Sequence, residues 1–174
     1  MNKARNPTAD PVPCGRWTLR DKAARRRSFH SLGRLMTIPT EYAHASIGFE
    51  KFMVDARDIS GLNTTNMAYN MVVGVLYAFR RRLTVKDALR FANGLPAIIR
   101  AIFVSNWDTE QPQLEFTDRE SMTKEVQSLR KEHNFSPDSA IHDIALALRR
   151  NVDQQEFDRI LSFLPAGARE FWKV

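Results

Sequence analysis

Ten residues of this chain recur, altered, close to its end. Residues 94–103 read Gly-Leu-Pro-Ala-Ile-Ile-Arg-Ala-Ile-Phe, and residues 163–172 read Phe-Leu-Pro-Ala-Gly-Ala-Arg-Glu-Phe-Trp. The matching leucines, prolines and arginines share one offset, because 164 − 95, 165 − 96 and 169 − 100 all equal 69. Phe79-Arg80-Arg81 falls on Leu148-Arg149-Arg150 under the same shift. That period is long for a solenoid, so it implies a duplicated helical unit folded against its copy. The expected fold is all-α, with two related four-helix halves packed into one globular domain.

Helix signals follow in regular order. The first helix is expected over about residues 46–58, with Phe49, Phe52, Met53 and Ala56 on one stripe. Thr64 reads as the N-cap of a second helix running to about Arg82. Its Met67, Met71, Val72, Val75, Leu76 and Phe79 follow a helical period, and Val73 and Tyr77 lie off that face, so burial on more than one side is expected. Thr84 to Asp87 approximates a capping box and Gly94 ends the helix it opens. Pro96 fits the first turn of a fourth helix, with Ile98, Ile99, Ile102 and Phe103 inward. After a linker over about residues 106–116, Thr117 to Glu120 reads as a capping box opening a helix to about Glu132. Ser136-Pro137 should start the next, Asp153 to Glu156 a third, and Pro165 the last. The halves are thus about 46–105 and 117–174. No segment alternates with period two for long enough to argue a sheet.

Charge divides the chain differently. Residues 1–35 carry nine Lys/Arg against Asp10 and Asp21, a net of +7 within a total of +6, so the remainder is nearly neutral. This part reads as a flexible or weakly helical basic tail, and residues 36–174 as the folded domain. The longest uncharged apolar run, Met71 to Phe79, is nine residues and too short to cross a bilayer as a helix. Cys14 is the single cysteine, which excludes an internal disulfide and a Cys-rich zinc site. With no signal-peptide pattern at the start, a reducing, cytoplasmic location is expected.

Candidate interaction residues come in four groups. Arg25, Arg26 and Arg27 in the tail suit nucleic acid or anionic lipid. Arg80, Arg81, Arg149 and Arg150 end matching helices, where cations either form basic spots or complement the helix dipole. Successive residues point about 100° apart on a helix, so such a run makes no single patch. Arg100 and Arg169 follow the two Leu-Pro pairs and are expected to bridge to Asp87 and Glu156. Trp107 in the linker and Trp172 near the end either pack over the seam between halves or anchor a partner. His30, His44, His133 and His142 include no i, i+4 pair, so no metal is expected, and no motif calls for a cofactor.

Phe49-Glu-Lys-Phe52, the Leu95-Pro96 and Leu164-Pro165 pairs, and Asn106-Trp107-Asp108 with Pro112 together resemble an uncharacterised bacterial family, the domain of unknown function DUF2267. The resemblance covers about Met36 to Val174 and implies an all-α fold of two related halves, with no activity to carry over. Ala68 to Leu95 spans 27 positions but Ala140 to Leu164 spans 24, so a helix or turn is shortened in the second half. Three readings of function stay open. The leading one is a non-enzymatic interaction or scaffold protein with a protein partner or self-association. The others are a nucleic-acid or anionic-membrane accessory using residues 3–34, and a small-molecule or enzymatic pocket near Trp107, Arg100 and Arg169.

Overall fold

The computed structural model describes residues 38–174, which form nine helices and no strand. Arg25, Arg26, Arg27, Cys14, His30 and the expected tail helix lie outside the described residues. A single turn, α1 (Thr40–Ala43), precedes the eight helices expected from sequence. These are α2 (Ala45–Ser60), α3 (Thr65–Arg80), α4 (Val85–Ala92), α5 (Ala97–Val104), α6 (Arg119–Ser128), α7 (Ala140–Arg150), α8 (Gln154–Ser162) and α9 (Ala166–Phe171).

Short polar side chains set the starts. Thr64 Oγ1 accepts from the Met67 N–H at 3.2 Å, Thr84 Oγ1 from Asp87 at 3.1 Å, and Asp153 Oδ1 from Glu156 at 2.8 Å. Each satisfies a donor that the first turn leaves unpaired. Pro96 and Pro165 precede α5 and α9 in nearly identical extended conformations, with φ, ψ of −54°, 150° and −51°, 151°. Gly61 closes α2 at φ +67°, a conformation that costs a glycine little.

Three local expectations need correction. The cap of α6 is Asp118, which accepts from the Ser121 N–H at 2.8 Å, rather than Thr117. That helix ends at Ser128, not near Glu132: Arg130 turns to φ +52°, and the Asn134 amide donates to the carbonyls of Val126 and Leu129. Ser136-Pro137 opens a turn instead of a helix, and α7 begins at Ala140, leaving it 11 residues against 16 in α3.

α3 is the central rod, buried around most of its circumference. It packs on α2, α5, α6 and α7, while α2 lies chiefly against α7 and α3, and α4 meets α8. Trp172 is fully buried and anchors the aromatic centre of the core. It stacks on Phe91 at 5.5 Å and 23°, and meets the edges of Phe79, Phe157 and Phe171 at 5.2, 6.0 and 5.4 Å. Rings from both parts of the sequence therefore share one cluster, the arrangement in which aromatic pairs add to simple burial.

The crossing of α3 and α6 is tight enough to exclude one methyl group. A Cβ on Gly74 would stand 2.9 Å from Val126 Cγ1 and 3.0 Å from its carbonyl oxygen, whereas Gly48 on α2 has open space. Gly74→Ala should lose up to about 2 kcal/mol, since overpacking costs about 1–3 kcal/mol against a helix-propensity gain near 1 kcal/mol. Gly48→Ala should gain up to about 1 kcal/mol. Chemical denaturation of both variants checks this opposition of sign.

Candidate functional site

The arginines that end α3 and α7 do most of their work inside the molecule. Arg80 is 4% exposed, and its Nη1 donates to the carbonyls of Phe103 and Ser105 at 2.5 and 2.9 Å. Its guanidinium lies 4.2 Å from the Tyr77 ring and 5.2 Å from that of Trp107, which is half-buried in the linker. Burial lowers its affinity for a proton relative to free arginine. Arg149 repeats the main contact: its Nε donates to the carbonyl of Trp172 at 3.3 Å. Phe103 and Trp172 are themselves 69 positions apart, so each arginine covers the end of the last helix in its own half. A donor placed there satisfies carbonyls that the helix leaves open.

The next residues reach in the opposite direction. Arg81 Nη1 and Arg82 Nη2 each lie 2.8 Å from a different oxygen of Glu125 on α6. Arg150 and the Asn151 amide approach Asp55 on α2 at 3.9 and 2.7 Å. Arg82 also donates to the Ala78 carbonyl at 2.6 Å and Asn151 to that of Ala147 at 2.8 Å, a second pair of contacts offset by 69. The end of α3 thus grips the first helix of the later half, and the end of α7 grips the first helix of the earlier half.

Arg100 does not reach Asp87. It donates to the carbonyls of Ala92 and Leu95 at 3.0 and 3.1 Å, closing the turn between α4 and α5. Asp87 pairs with Arg90 at 3.3 Å, and Glu156 with Arg159 at 2.6 Å, which holds the Glu156 carboxyl below its ordinary range. Arg169 is exposed and makes no ion pair among the described residues. Arg82 belongs to the arginine run that ends α3, but its partner Glu125 and its counterpart Asn151 carry no signal in the sequence beyond the offset that maps 82 onto 151.

Two surface grooves occupy matching places between the first and second helices of each half. The first, about 370 Å³, is lined by Phe49, Glu50, Met53, Val54, Thr65 and Tyr69. The other, about 470 Å³, is lined by Arg119, Glu120, Thr123, Lys124, Gln127 and Asp138. Glu50, Val54 and Tyr69 become Arg119, Thr123 and Asp138 under the shift of 69, so one groove is apolar and its counterpart polar. Val54 and Tyr69 are each 41% exposed, and Ile47, two turns before Val54 on α2, is 65% exposed.

Arg100 and Arg169 line none of the three cavities described in this chain; Trp107 lines one, beside Arg80. Among the described residues no three His, Cys, Asp or Glu side chains converge on a metal-sized site, and no helix is long and apolar enough to cross a membrane. The model of a family described as an uncharacterized conserved protein (DUF2267) matches residues 49–171. No curated protein matches the sequence significantly.

The two grips differ in burial, which sets their energetic weight. Glu125→Ala strands the guanidinium of Arg82, whose side chain is 5% exposed, and should cost about 3 kcal/mol. Asp55→Ala leaves a neutral amide and the well-exposed Arg150, and should cost about 1 kcal/mol. Urea titration of the two variants measures the gap, which equal losses would contradict.

Proposed function

The chain belongs to the DUF2267 family, and we propose that it is a non-enzymatic interaction protein. Its docking face is the groove between α2 and α3. The observation that carries this reading is the asymmetry of the two matching grooves. Where the later half presents Arg119, Thr123 and Asp138, the earlier one presents Glu50, Val54 and Tyr69 with Phe49 and Met53 beneath. Apolar groups held open to water are retained where a partner covers them. Glu50 is the one charged side chain lining the groove, which gives the occupant its chemistry: a helical protein segment with apolar anchors and a Lys or Arg beside them. We infer further that the two sets of helices descend from a duplication. Exchanging α2 with α6 and α3 with α7 turns the α2–α7 packing into the α6–α3 packing, which supports that descent.

A second reading keeps the charge excess of residues 1–35, which favours nucleic acid or anionic lipid as an additional partner. Binding of that kind should weaken steeply with salt and vanish when residues 1–35 are deleted.

Selection of a helical peptide library on the full chain tests the groove. Enriched peptides should carry apolar residues at i, i+3 or i+4 with a flanking cation, and Val54→Lys should weaken them at least tenfold, about 1.4 kcal/mol. Peptides indifferent to Val54→Lys would reject the groove. Concentration-dependent dimers abolished by Val54→Lys would replace the foreign segment with a second copy.

A further inference from the structure

The earlier half carries a second apolar feature open to water, and it is a ridge rather than a groove. On α4, Val85 and Leu89 are 44% and 55% exposed. They stand four positions apart and so share one helical face, with Lys86 exposed beside them. The rest of that helix is engaged with the molecule. Ala88, Phe91 and Ala92 are buried, and Arg90 pairs with Asp87 while reaching the Phe163 carbonyl. Under the shift of 69, Val85, Lys86 and Leu89 become Gln154, Gln155 and Asp158. The later half thus lacks the ridge just as it lacks the apolar groove.

Groove and ridge complement one another. The groove between α2 and α3 offers Phe49, Met53, Val54 and Tyr69 with one charged group, Glu50. The ridge offers two apolar side chains about one turn apart, with a single charge of opposite sign on Lys86. Neither Glu50 nor Lys86 forms an ion pair among the described residues. A single chain holds the two features apart. Thr65 and Tyr69 place the groove at the start of α3, whereas α4 follows its end, about 24 Å away along a 16-residue rod.

We propose that the ridge of α4 docks into the α2–α3 groove of a second copy of this chain. This rests on the reading of that groove as a docking face and names its occupant. Val85 and Leu89 supply the apolar anchors, and Lys86 meets Glu50, which fixes the direction of the docked helix. Because groove and ridge are different surfaces, the contact is heterologous. A pair of copies leaves one groove and one ridge unused, so association continues beyond two unless a ring closes.

Sedimentation velocity of the full chain, from about 10 µM to 1 mM, covers the range of weak contacts of small area. The average mass should rise with concentration. Val54→Lys and Leu89→Lys, both at exposed positions, should each weaken association about tenfold or more. An equimolar mixture of those two variants should form a complex of two copies and nothing larger, since each retains the surface that the other lacks. Glu50→Lys should also weaken association, and Lys86→Glu added to it should restore it. A chain that stays single throughout that range would overturn the proposal and leave the groove to be judged by its peptides. Association lost in Val54→Lys but kept in Leu89→Lys would overturn it too, with the groove still standing. A mixture no more associated than either variant, or association that requires residues 1–35, would equally contradict it.

Discussion

The ends of α3 and α7 hold the molecule together through groups that each reach in two directions. Arg80 and Arg149 turn back on the last helix of their own half, while the residues that follow, Arg81-Arg82 and Arg150-Asn151, take a carboxylate on the first helix of the other half. Cations at a helix C-terminus already suit the macrodipole. Here the same side chains also satisfy carbonyls and ion-pair partners that packing has removed from water. Arg149 donates to the carbonyl of Trp172, the residue whose ring centres the aromatic cluster, so the end of α7 and the core meet at one residue.

Across the shift of 69 the two sets of helices differ at particular positions. Phe103 corresponds to Trp172, and the larger ring fills the centre of the core. Asp158, which pairs with Arg149, corresponds to the exposed Leu89. The groove of the earlier half is apolar and that of the later half polar. Leu89 and the two grooves lie at the surface, where the packing constraint of a close-filled interior is relaxed.

The sequence conveyed the scaffold well because the signals are local. Thr64, Thr84 and Asp153 cap where their residue type and spacing place them, and Pro96 and Pro165 mark two helix starts. The region between α6 and α7 was misread because its outcome is decided by the Asn134 side chain binding carbonyls five and eight residues back, a competition that periodicity does not register. Charge alone suggests Asp87 as the partner of Arg100, yet nearby carbonyls take Arg100 and Arg90 takes Asp87. The grooves were illegible for a different reason. Val54 and Tyr69 look like ordinary helical apolar residues until the fold reveals which of them no helix covers.

The central claim is that the two sets of helices are one mutually shielding unit, held by reciprocal grips. Native-state hydrogen exchange of the full chain in graded denaturant tests it most directly. Buried amides of α3 and α7 should converge on a single opening free energy and a single denaturant dependence. Protection lost from α3 while α7 remains closed, or the reverse, would mean that the halves open independently and would contradict the account.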